Sequence, residues 1–336
     1  MNRPAFLLAD RRRLVLAGAA SVLAACLPAL AQPPRVPRIG YLVLSPLSDP
    51  PSRERQAFLD ALRELGYVPG KTIEIVYASA QNEQDFIDDA CRDLLGRKPD
   101  LIVASGAIAT LAAKKATASV PIVFMALGDP VGIGAVRSLA RPEGNLTGVS
   151  FISSELAGKR VQLVKELIPA ARAAVVLWDS RNANARAESG VALAAAAGLQ
   201  LKAQSIALAS DADLTRALNR LQANKPDVLY VVFEGGTVAS NGMLIAEFGV
   251  RHRVPVVSGW RNLTERGGLI SYAPDMPAMF RRSASYVDRI LRGAKPADLP
   301  VEQATTVELV INLRTAKALG IAIPREMLLR ADRVIE

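Results

Sequence analysis

Lys98-Pro99-Asp100-Leu101-Ile102-Val103 returns 127 residues later as Lys225-Pro226-Asp227-Val228-Leu229-Tyr230. Three further pairs surround it. Val120-Pro121-Ile122-Val123 returns as Val254-Pro255-Val256-Val257, and the apolar run 39–44 matches 173–178, both at an offset of 134. Leu65-Gly66-Tyr67 has a fainter echo in Ala197-Gly198-Leu199, at 132. Four ordered matches at nearly one offset mark a duplicated unit with small insertions. An offset this long gives two like domains, because solenoid repeats have periods of about 20–50 residues.

Within each copy, strand and helix signals alternate. The run 38–44 suits a strand buried on both faces. Segment 52–65 places Ala57, Phe58, Ala61, Leu62 and Leu65 at helical spacing and is closed by Gly66. A β-branched run at 72–77, a helical pattern at 85–95, a strand at 100–104, a helix at 107–116 and a strand at 120–125 follow. This rhythm predicts βαβ units and parallel sheets. Segment 141–152, between the copies, reads as a strand crossing from one lobe to the other. After the second copy come a strand at 269–272, a long helix at 277–292, an extended stretch at 296–310 and a helix at 312–319 closed by Gly320. These belong to neither copy, and several crossovers make a hinge. The expected fold is α/β, with two parallel-sheet lobes joined by hinge crossovers. The expected division is 1–31 as a leader, 32–146 with 273–305 as lobe 1, and 147–272 with 306–336 as lobe 2.

The composition fits that fold. Of 336 residues half are hydrophobic, 22% are charged and 5% are aromatic, which excludes disordered and collagen-like classes. Two cysteines and one histidine exclude a Cys/His zinc cluster and a disulfide framework. The net charge of +9 is dispersed, with no basic run longer than three, so nucleic acid is not an expected partner. Arg11-Arg12-Arg13, the uncharged run 14–25 and Ala29-Leu30-Ala31 form an export signal with cleavage after Ala31. Leu23-Ala24-Ala25-Cys26 offers a second outcome, a lipid anchor on Cys26. Arg11-Arg12 leaves both the general and the twin-arginine export routes open.

No catalytic apparatus is legible. The segment 66–72 has three residues between its glycines where a phosphate loop needs four, and its Lys71-Thr72 opens a strand rather than a helix. Gly132-Ile133-Gly134 lacks the third glycine of a dinucleotide fingerprint. His252 sits between two arginines with no nucleophile beside it. No cofactor, metal or catalytic residue is expected.

Ligands of open parallel sheets bind beyond the carboxyl ends of the strands. In lobe 1 those ends give Ser45, Ser105, Gly106 and Asp129 as ligand-binding candidates. In lobe 2 they give Asp179, Glu234, Gly235 and Trp260. Helix N-termini behind Ser45, Ser105 and Gly235 favour a carboxylate. Asp129 and Glu234 face a cationic group, and Trp260 offers a ring to stack on. Asp129 before Pro130 reads equally as a helix cap, and Trp178 reads as core. The expected ligand is a small carboxylate-bearing solute, an amino acid or a related metabolite.

Longer motifs sharpen this. They are Asp129-Pro130-Val131-Gly132, Pro142-Glu143-Gly144-Asn145-Leu146-Thr147-Gly148-Val149-Ser150, Gly259-Trp260-Arg261, Gly267-Gly268-Leu269-Ile270-Ser271-Tyr272 and the tail segments 309–320 and 331–336. From about Arg38 onward the chain resembles the substrate-binding proteins of ABC transporters that include tryptophan-binding periplasmic components. The resemblance implies a type I periplasmic-binding fold of two Rossmann-like lobes, no enzymatic activity, and delivery of the solute to an ABC permease in the inner membrane. It implies a periplasmic protein, soluble after cleavage at Ala31 or anchored through Cys26, and a monomer is expected. Two positions depart from the family pattern: Glu143, where glycine is usual, and Asp275, where asparagine is frequent. A secreted α/β enzyme would need a nucleophile–base pair, and a ligand sensor would need a DNA-binding segment where the leader stands.

Overall fold

The computed structural model describes residues 35–151, 153–232 and 236–336; the expected leader, with Cys26 and the cleavage site, lies outside them. The chain opens with β1 (Arg38–Val43), α1 (Arg53–Glu64), β2 (Glu74–Ser79), α2 (Ile87–Gly96), β3 (Leu101–Ser105), α3 (Gly106–Ala116), β4 (Ile122–Leu127) and β5 (Leu146–Ser150). It continues through α4 (Ser153–Leu167), β6 (Ala173–Asp179), α5 (Ala183–Gly198), β7 (Lys202–Leu208), α6 (Asp211–Ala223), β8 (Val228–Val231), α7 (Gly236–Ser240), α8 (Gly242–His252), β9 (Val256–Ser258), α9 (Arg261–Glu265) and β10 (Ile270–Pro274). The last stretch supplies α10 (Met276–Leu291), β11 (Glu302–Gln303), β12 (Val307–Asn312), α11 (Leu313–Leu319), α12 (Arg325–Arg330) and β13 (Arg333–Ile335).

Two sheets result, in the orders β11-β5-β4-β3-β1-β2 and β13-β12-β10-β9-β8-β6-β7. Shifting every label by five turns the run 5-4-3-1-2 into 10-9-8-6-7, so the duplication is visible in the strand order itself. The pairings are parallel except that of β10 with β12, which is antiparallel.

The repeated sequences do the same job in both sheets. Asp100 donates its amide to the Arg38 carbonyl at 2.8 Å, and its carboxylate accepts the Arg38 amide at 2.7 Å. Asp227 donates to the Ala173 carbonyl at 2.9 Å and accepts the Arg172 and Ala173 amides at 2.8 and 2.9 Å. The Pro121 and Pro255 carbonyls accept the amides of Ile102 and Leu229 at 2.8 and 2.9 Å. These bonds brace the amino ends of neighbouring strands, where an unpaired buried amide would be costly. The fainter echo is in fact displaced by two residues. The left-handed residue after the helix is Gly66 (φ 90°) in lobe 1 and Gln200 (φ 56°) in lobe 2, and the amides of Tyr67 and Leu201 close onto Leu62 and Ala196. The true offset is therefore 134, and Gly198 is simply the last helical residue.

Both faces of each sheet are buried, which is why the strands read as unbroken apolar runs. Ile39, Tyr41, Leu101 and Val103 pack with Phe58, Leu62, Phe280 and Val287, while Leu42, Ile102 and Ala104 pack with Cys91, Leu94, Ala109 and Ala113. In the second sheet Val176, Trp178 and Tyr230 face Val161, Val164, Ala192 and Ala196, and Val175, Leu177 and Leu229 face Leu214, Leu218, Ile245 and Phe248. Each fully buried side chain of this size contributes about 1.5–3 kcal/mol.

The chain passes between the sheets three times: after β5, between β10 and α10, and between β11 and β12. The stretch read as a crossing strand is β5, which pairs with β4 and β11 inside the first sheet, and the crossing follows it. Gly148 fits there because a Cβ would stand 2.1 Å from the Phe124 carbonyl oxygen. Glu143 lies in the left-handed region (φ 56°), where the glycine usual in the family it resembles carries no steric cost. Asp275 caps α10, its Oδ1 accepting the Ala278 amide at 3.0 Å, a task asparagine performs about as well.

Candidate functional site

A cavity of about 450 Å³ opens where the carboxyl ends of both sheets converge. Lobe 1 contributes Tyr41 from β1, the loop 44–48, Glu54 and Arg55 from the first turn of α1, and the β3–α3 junction. Met276 and Phe280 of α10, which packs on the first sheet, complete that wall. Asn182, Gly236, Trp260, Asn262 and Arg266 form the opposite wall, and Phe151 sits just past β5 at the first crossing. Four aromatic rings thus meet in one cavity of a chain that is only 5% aromatic.

Of the eight candidates from sequence, Ser45, Ser105, Gly106 and Trp260 line the cavity. Ser105 precedes α3 but makes no capping bond with its side chain. Gly106 takes φ 80° to turn the strand into the helix, and Gly106, Ala107 and Ile108 at the start of α3 line the cavity. No helix begins directly behind Ser45. Its carbonyl accepts the Ser79 hydroxyl at 2.7 Å, and α1 starts only after Ser52, whose Oγ accepts the Arg55 amide at 3.3 Å. Asp129 does not line the cavity: its Oδ1 accepts the Gly132 amide at 2.8 Å in a turn, and no helix follows Pro130. Gly132 lets this carboxylate sit close, since a Cβ would stand 2.1 Å from Asp129 Oδ2. Asp179 is also off the wall, buried at the end of β6, accepting the amides of Arg181 and Thr237 at 2.9 and 2.8 Å. Glu234 and Gly235 lie outside the described residues. Trp178 is core, with Arg186 5.1 Å above its ring.

Sequence reasoning missed Tyr41, Glu54, Arg55, Phe151 and Phe280. Tyr41 and Phe280 sit in core-like patterns, and only the fold shows that each also reaches the cavity. Burial pushes the Tyr41 phenol up, with Arg55 opposing, so it stands in the wall as a neutral hydroxyl. Arg55 did carry a signal: cations in the first turn of a helix oppose its dipole. Glu54 is the one acid among the described lining residues.

Behind Trp260 lies a buried cluster. Arg160 donates Nη1 to Glu188 at 2.7 Å and to the Tyr230 hydroxyl at 3.1 Å, and Nε to the Tyr272 carbonyl at 2.6 Å; Tyr230 donates to Glu188 at 2.7 Å. A Cβ on Gly259 would stand 2.6 Å from the Arg160 Cζ, so the strand end carrying Trp260 rests directly on this guanidinium. At the rim Arg53 of α1 pairs with Glu265 of α9 at 3.0 Å, linking the lobes, and Arg261 holds Glu265 and Glu308, each at 3.0 Å. No group of His, Cys, Asp and Glu suited to a metal occurs among the described residues. No described helix is long and apolar enough to cross a membrane.

The family model described as ABC transporter substrate binding protein matches residues 43–335. A tyrosine-binding protein of Clostridioides difficile is 27% identical over 282 residues, covering 84% of this chain and 79% of that protein. The ABC domain of Streptococcus pneumoniae in complex with L-Trp is 27% identical, with a TM-score of 0.82, covering 89% of this chain and 99% of the other. The ligand-free, open structure of the Clostridium difficile substrate-binding protein CD0873 is 25% identical over the same shares, with a TM-score of 0.65. The architecture is that of type I periplasmic binding proteins.

Proposed function

We propose a function from one premise: the chain belongs to the ABC transporter substrate-binding protein family. The protein is the solute-capturing component of an importer. It holds an aromatic amino acid between its lobes, closes on it, and presents it to a membrane permease. It works outside the cytoplasm, released by cleavage at Ala31 or anchored through Cys26. The lobes, divided by the crossings after β5, after β10 and after β11 rather than at 146 and 272, move about those crossings.

The observation that carries this reading is the cavity wall. Tyr41 and Phe280 from lobe 1 and Trp260 from lobe 2 enclose a space suited to a ring. Free amides at the start of α3 suit a carboxylate. Relatives named for tyrosine and crystallised with L-Trp support the aromatic class. Glu54 takes the ligand's amine in place of Asp129, whose carboxylate is committed to its turn.

Calorimetry with L-tyrosine, L-tryptophan and L-leucine tests this. Saturable binding of an aromatic amino acid, tighter than that of leucine, is expected, together with compaction in small-angle scattering. No binding of any amino acid would end the proposal.

A further inference from the structure

Two arginines are buried among the described residues, and they have opposite surroundings. Arg160 is neutralised by Glu188 and saturated by Tyr230 and the Tyr272 carbonyl. Arg55 has no such partner. One Nη2 donates to the Ser48 carbonyl, the Cζ lies 5.8 Å from the Tyr77 ring, and the Nε is buried without a hydrogen bond. No carboxylate among the described residues pairs with it, although only 9% of the residue is exposed.

Such an arrangement costs stability. A buried cation without a counter-charge is penalised by desolvation. Its place in the first turn of α1 adds a repulsion from the helix dipole. A neutral side chain of similar length would fill the same space, so packing does not account for the charge. The side chain lines the cavity beside Tyr41. Arg266, the other cation on the wall, is exposed and lies 5.9 Å over Trp260, where water already solvates it.

We infer that Arg55 receives the carboxylate of the bound solute, so that the ligand supplies the counter-charge the protein withholds. The inference rests on the amino-acid reading above and deepens it: lobe 1 holds the carboxylate, and Trp260 of lobe 2 closes on the ring from the other side.

The test uses pairs differing only in the carboxylate, L-tryptophan with tryptamine and L-tyrosine with tyramine, titrated calorimetrically into the full chain. The wild type should prefer the amino acids by roughly 10- to 100-fold, the range for one hydrogen bond to a charged group. Arg55→Gln should abolish that preference while leaving amine affinity unchanged. Arg55→Lys should restore part of it, and Arg63→Gln, on the exposed face of α1 and off the cavity wall, should keep it whole. Circular dichroism establishes folding, and Arg55→Met replaces the glutamine variant if that one does not fold. A folded neutral variant that keeps the preference overturns the inference. So does an equal loss for acid and amine, which would mean that Arg55 only holds the Ser48 loop. A wild type that binds a non-aromatic amino acid instead overturns the aromatic reading alone, and the Arg55 comparison is then made with that amino acid and its amine. A wild type that binds no carboxylate overturns both.

Discussion

At the site end of lobe 2, the buried charged side chains are met internally: the Asp179 carboxylate by two amides and Arg160 by Glu188. At the site end of lobe 1 polar groups are left open: Ser105 makes no cap, Arg55 has no counter-charge, and Glu54 faces the cavity. Two copies of one frame have thus taken different tasks. Lobe 2 is a platform for an indole whose buried arginine is paired, and lobe 1 carries the buried arginine that a polar ligand completes.

The sharpest way to break this contrast is to unbalance each arginine in turn. Glu188→Ala leaves Arg160 buried and unpaired, and should cost about 3–5 kcal/mol in urea denaturation. Arg55→Met removes a charge that already lacks a partner and should cost less than about 1 kcal/mol, or stabilise. Equal losses would erase the distinction between the lobes.

Cys91 reads lobe 1 separately. It is the one cysteine among the described residues, fully buried in the first lobe, and burial with help from Asp88 pushes its thiol up to about 11. The folded state keeps this proton where the unfolded chain loses it. Its contribution is therefore complete below the unfolded thiol's range and is lost as pH rises toward 11, by roughly 2–3 kcal/mol. Cys91→Ala should remove that part of the pH dependence between pH 8.5 and 11, measured against wild type.

Trp260→Ala tests the platform. It should weaken an aromatic amino acid by about 10-fold and leucine by much less, in line with about 0.5–1.5 kcal/mol for an aromatic pair. Asp129→Asn should do least. Affinity should be unchanged and stability should move by less than about 0.5 kcal/mol, because an asparagine Oδ1 can accept the Gly132 amide in the same turn. A tenfold loss of affinity there would move the site away from the cavity.

The frame was legible because its braces are local. Lys-Pro-Asp and Val-Pro need particular residues to tie strand starts together, so both copies retain them. The short β11, α12 and β13 were not legible, being too brief for a periodic signal. The strand-end rule found half the candidate residues on the wall, while Asp129 and Asp179 lie off it with their carboxylates accepting backbone amides. A carboxylate before a glycine or a helix start looks the same in sequence whether it caps or binds. Tyr41, Arg55 and Phe280 were hidden for a different reason: each lies within a regular element, and only tertiary packing turns one edge of it toward the cavity.

The placement of α10 has a consequence for how the molecule is made. Phe280, Tyr286, Val287 and Ile290 complete the core over β1 and α1, while Arg281 reaches Glu64 across 217 positions and Tyr67 reaches Asp288 across 221. A chain synthesised from its amino end therefore carries an uncovered apolar face on its first domain until the segment around Leu291 has emerged. Contacts of such long range fold slowly, because loop-closure entropy must be met before they form. Lobe 1 begins first and finishes late, so for most of its synthesis the nascent protein exposes the kind of apolar surface that favours aggregation.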